Sequence, residues 1–149
     1  MKRRETLLAL FAIAGLMAAA PHRDSAVIVN SGSTNSVGYK ITVWSDGSGS
    51  ALLQSRDGTP AGKPKSFSLP EATTSRFFAD LAAARKANAV SVPCMKSASF
   101  GTTTHITWQG WVSPDLDCPP KGAEGDALVK DVAAIRQASG VPQFPPRQP

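Results

Sequence analysis

The chain has only two cysteines, Cys94 and Cys118, and no C-x-x-C or H-x-x-x-H pair, so the usual spacings of a zinc site or a vicinal redox couple are missing. Beyond residue 20, no apolar run approaches the roughly 20 residues needed to span hydrocarbon. Nor does any later segment hold more than two adjacent basic residues, which removes the electrostatic footprint of a nucleic-acid binder. The glycine-bearing stretches "SDGSGS" and "EGDA" lack the spacing of a phosphate cradle, and no serine sits in a G-x-S-x-G elbow. Nothing in the sequence asks for a cofactor or a metal.

What is present begins with a leader. "MKRRETLLALFAIAGLMAAA" sets Lys2, Arg3 and Arg4 before an apolar stretch from Thr6 to Ala20, the layout of a signal peptide over residues 1–20. Small residues allow cleavage anywhere between 18 and 26, and Pro21 disfavours the cut directly after Ala20. Removing Lys2, Arg3, Arg4 and Glu5 leaves thirteen basic and ten acidic residues, a net charge of +3, so much of the basic character belongs to the leader. No cysteine lies near the end of the apolar run to carry a lipid. The expected location is the periplasm or the outside of the cell, with no stable membrane span after cleavage.

Residues 26–140 read as a single α+β domain, with 141–149, "VPQFPPRQP", as a Pro-rich disordered tail. "AVIVN" is a short first strand. In "GYKITVWSDGSGSALLQ", Tyr39, Ile41 and Val43 alternate with Lys40, Thr42 and Trp44, and Asp46-Gly47 supplies the turn of a hairpin that returns through Ala51 to Gln54. Arg56 to Phe67 has the composition of an exposed loop. "SLPE" then predicts a capping box, Ser68 with Glu71, that starts an amphipathic helix from Leu69 to Ala87 with its stripe at Phe77, Phe78, Leu81, Ala82 and Arg85. Asn88 is its terminator. "AVSVPCM" follows as an edge strand interrupted by Pro93, and "THITWQGWV" as a second hairpin turning at Gln109-Gly110. A second helix, starting near Asp126, carries Leu128, Val129, Val132 and Ile135 and stops at Gly140.

Hairpins make an antiparallel sheet, here of about four to six strands, and two apolar helical stripes need cover. The predicted fold is a two-layer sandwich with both helices on one face. Its alternation of hairpin and helix resembles that of small exported α+β domains, some of which inhibit or bind other proteins; the likeness is one of architecture and carries no residues with it.

Cys94 and Cys118 enclose 23 residues, and in an exported chain an even cysteine count reads as a disulfide, which for a loop of this size stabilises by roughly 3–4 kcal/mol. A metal site from Cys94, His105 and Cys118 with Asp115 or Asp117 is the competing reading. His105 is the one histidine clear of the cleavage zone, where His22 lies. With Asp115 or Asp117 as orienting acid it gives the enzymatic alternative, a small hydrolase or metal-dependent enzyme. If Gln109-Gly110 is a two-residue turn, Trp108 and Trp111 are cross-strand partners, forming either a wall of the core or an exposed platform. Trp108, Trp111 and Gln109 are therefore the candidate binding residues of a non-enzymatic, inhibitor-like binding domain, whose partner would be a protein, a peptide or an envelope component.

Overall fold

The structure, a computed structural model, describes residues 23–97 and 99–142. The expected signal peptide and residues 143–149 of the tail lie outside the described residues. Ten elements follow in order: β1 (Ser25–Asn30), β2 (Gly38–Trp44), β3 (Ser48–Gln54), β4 (Lys65–Ser68), α1 (Glu71–Lys86), β5 (Val90–Ser91), β6 (Thr104–Trp108), β7 (Trp111–Val112), β8 (Pro120–Lys121) and α2 (Ala123–Ala138). Six strands form one antiparallel sheet in the order β4-β3-β2-β1-β6-β7. The fold is α+β.

Strand β1 sits inside the sheet, paired with β2 on one side and β6 on the other, and the register explains its composition. Ala26 lies between Val43 and Trp108, and Ile28 between Ile41 and Ile106. Those residues share a face and are buried. They form one cluster with Phe77, Leu81 and Ala84 of α1 and Leu128, Val132 and Ile135 of α2. The opposite face carries the alternate positions, among them Val29, Lys40, Leu52 and His105, which stay half-buried or exposed. Period-two burial is what a sheet covered on one side requires.

Strand β4 lies where a loop was expected. Gly49 leaves it room: a Cβ there would fall 2.2 Å from the ring of Phe67, its cross-strand partner, which occupies the space over the β3 backbone. That pairing also dissolves the expected capping box. Ser68 is held opposite Ser48 as the last residue of β4, Leu69 N–H donates to the Gly47 carbonyl, and α1 starts only at Glu71 with Pro70 at the N-cap and no side-chain cap. The buried stripe of α1 is Thr74, Phe77, Leu81 and Ala84, so Ala82 faces out.

Both helices end where their sequences say they should. At Asn88, φ is +49°, and the N–H groups of Asn88 and Ala89 return to the carbonyls of Arg85 and Ala84. Gly140, at φ +69°, repeats the arrangement, with Gly140 and Val141 donating to Gln137 and Arg136. These are Schellman closures. The second one folds Val141 back into the core. The edge strand expected around "AVSVPCM" is shorter and lies elsewhere: β5 pairs with β8 in a separate two-stranded sheet, because Pro93 and Pro119 stop both strands from extending.

The helix pair buries one carboxylate. Asp131 on α2 is 1% exposed; its Oδ1 accepts from Arg76 Nε of α1 at 3.0 Å, and its Oδ2 meets no hydrogen-bond donor among the described residues. Burial, with Asp80 beside it, outweighs the arginine and pushes its pKa up to about 6. The folded carboxyl thus keeps a proton that the unfolded chain releases near 3.8, so folding takes up a proton in that window and stability falls as pH rises from about 4 to about 6. Asp131→Asn should raise unfolding free energy at pH 7 by about 1–2 kcal/mol and flatten this slope. Urea denaturation at pH 4.5 and pH 7 checks both; an unchanged slope would refute the assignment.

Candidate functional site

The tryptophan hairpin closes as the spacing predicts. Gln109 and Gly110 take φ +47° and +76°, the two left-handed positions of a two-residue turn, and Trp108 pairs with Trp111. Its parity then decides what the indoles do. Trp108 shares the buried face with Ile106 and is 8% exposed; its ring meets Phe78 edge-on at 6.4 Å and the Arg85 guanidinium at 5.9 Å. Trp108 Nε1–H donates to Asp24 Oδ2 at 2.9 Å, and Gln109 is bound on both sides, donating to Asp24 and accepting from Arg85. Trp111 is partly buried against the same cluster. Trp108 therefore forms part of the wall of the core, while Trp111 stays half-buried and Gln109 exposed.

His105 and the two acids do not meet. Adjacent strand residues point to opposite faces. Thr104 turns to the acids, while His105 lies on the far side with Nδ1 2.9 Å from the Ser113 carbonyl. Asp115 and Asp117 serve as braces: Asp115 Oδ1 accepts backbone N–H groups of Thr104 and Asp117, while Asp117 accepts the hydroxyls of Thr102 and Thr104 and the amide of Asn30. Burial alone would raise the Asp115 carboxyl, but the Lys96 ammonium and the two backbone donors hold it below its ordinary value.

The cysteines are joined, with Cα atoms 5.5 Å apart. Both sulfurs are thereby withdrawn from the alternative metal site, and among the described residues no group of three or more His, Cys, Asp and Glu is placed to hold a metal ion. The small β5–β8 sheet leads directly into the bond, the last contact before it being Val92 N–H to the Pro119 carbonyl at 2.8 Å. Two residues beyond Cys94, the Lys96 ammonium donates to Asp115, to the Thr102 carbonyl and to Thr103 Oγ1. Positions 94 and 96 are therefore both fastened to the segment 115–118, one covalently and one by an ion pair.

The residue between them has nowhere to go but outward. Met95 is 102% exposed, and Phe100, across the same loop, is 69% exposed. Residues 92–97 run without helix, turn or bend, and among the described residues no backbone hydrogen bond occupies 93–96. Beside them lies an open depression of about 270 Å³ lined by Cys94, Met95, Lys96, Phe100, Thr102 and Asp117. Sequence reasoning passed over Met95. The available signal was an apolar residue flanked by a bonded cysteine and a lysine, just after a proline that forbids continued strand pairing.

No protein-family model matches the chain, and no curated protein or solved structure matches it. Among the described residues, no helix is long and apolar enough to cross a membrane. The site therefore rests on its geometry. Trp108→Ala should lower stability by about 3–5 kcal/mol, while Met95→Ala should stay within about 0.5 kcal/mol of the parent. Urea midpoints of the two variants separate these roles, and comparable losses would contradict the placement.

Proposed function

We propose that this is an exported, non-enzymatic binding domain of inhibitor-like kind, which presents residues 93–96 to the cleft of another protein. The observation that carries the reading is Met95, wholly exposed between two neighbours that are both pinned to the 115–118 segment. A large apolar side chain gains nothing in water. Held on a pre-ordered, braced segment, it can enter an apolar pocket with little further loss of conformational freedom, the main saving that preorganisation brings to binding. The unpaired backbone of 93–96 can also add to a partner as an extra strand, so that main-chain hydrogen bonds give affinity and the side-chain pocket gives selectivity.

A partner that takes an extended chain with one apolar side chain in a pocket has the chemistry of an endopeptidase cleft, and an exported endopeptidase is the partner class assigned here. The layout of residues 1–20 and a disulfide suited to an oxidising compartment support the export half of the reading. The enzymatic alternative draws no support from the geometry, because His105 bonds a backbone carbonyl and both acids are engaged as braces.

The test is inhibition of purified extracellular serine endopeptidases with apolar primary pockets by the oxidised domain. Micromolar or tighter inhibition is expected. Met95→Asp should weaken it at least about 100-fold, as the loss of a buried anchor does. Trp44→Ala, on the sheet face away from the core, should leave it unchanged. No inhibition of any such enzyme, or equal inhibition by the Met95→Asp variant, would reject the proposal.

A further inference from the structure

We propose that the exported protein is processed on the N-terminal side of Arg23, so that the mature chain begins between residues 19 and 23 and not at the later small residues Ser25 and Ala26. This inference rests on the export reading above. Cleavage preferences alone leave the cut open from 18 to 26, because small residues occur at both ends of that range. The fold closes the far end.

Arg23 and Asp24 precede the first strand, yet they are built into two hairpin turns at once. The Arg23 guanidinium pairs with Asp46, donates to Ser48 Oγ at 2.9 Å and lies 5.4 Å from the centre of the Trp44 ring. That fastens the chain to the β2–β3 turn. Asp24 accepts Ser45 N–H at its carbonyl, extending the β1–β2 pairing by one rung. Its carboxylate reaches the other turn, where Oδ2 accepts from Trp108 Nε1 at 2.9 Å and from Gln109 Nε2 at 3.1 Å.

Trp108 decides the matter. Its indole N–H lies in a residue that is 8% exposed, and Asp24 is the acceptor the structure gives it. A chain starting at Ser25 or later would take the acceptor from this part-buried donor and leave Gln109 with its Arg85 contact alone; losing such hydrogen bonds costs stability. Asp24 is thus a structural residue of the mature domain, and the leader must end before it.

Two measurements test this. The first is the intact mass and N-terminal sequence of the protein secreted behind its own leader. A first residue between 19 and 23 supports the proposal, and a first residue at 24 or beyond overturns it while leaving export intact. Recovery of only the chain that still begins at Lys2 or Met1, inside the cell, overturns export and this inference together. The second compares purified oxidised chains beginning at Arg23 and at Ser25, with Asp24→Ala placed in the longer one. Both the shorter chain and the Asp24→Ala variant should melt about 5 °C or more below the parent, with a changed tryptophan emission. Equal melting temperatures in all three would overturn it.

Discussion

The tie between residues 94–96 and 115–118 is the constraint on which the candidate site depends. Two fastenings of different kinds act at alternate positions of one extended segment: the Cys94–Cys118 bond and the Lys96–Asp115 ion pair. An extended chain points successive side chains in opposite directions, so anchoring two positions of the same parity determines where the third must go. Met95 is exposed for that reason.

The same tie engages the carboxylates that look catalytic in the sequence. Asp115 neutralises Lys96 and accepts from two backbone N–H groups, and Asp117 gathers Thr102, Thr104 and Asn30 around itself. Lys96 and the backbone donors stabilise the Asp115 carboxylate in its charged form, and the hydrogen bonds hold both side chains in position as braces. Among the described residues, the carboxylate with a strongly raised pKa is Asp131, which pairs with Arg76 across the two helices.

Much of the fold was legible in the chain. The alternation of Tyr39, Ile41 and Val43, the Gln109-Gly110 turn and the terminators Asn88 and Gly140 each act through neighbours within a few residues, so local pattern sufficed to place them. The misses share a different origin. Ser68 looked like a helix cap until its pairing with Ser48 claimed it for a strand, and that strand depended on Gly49 leaving room for Phe67. Pairing the indoles was a local inference, but the burial of Trp108 required the helix that carries Phe78 and Arg85. Asp24 gave no local sign of a role, since its partner lies 84 residues away.

From the residues alone came the class of fold, the pairing of the two cysteines, the turns and the helix ends, because each is fixed by backbone preferences, by hydrophobic period or by the simple absence of another cysteine. Tertiary structure alone decided which side each residue faces: that Trp108 looks inward, that His105 and Asp117 turn away from each other, and that Met95 stands in solvent. Facing is set by contacts between segments distant in sequence, and a change of parity by one residue reverses it, so no local pattern can supply it.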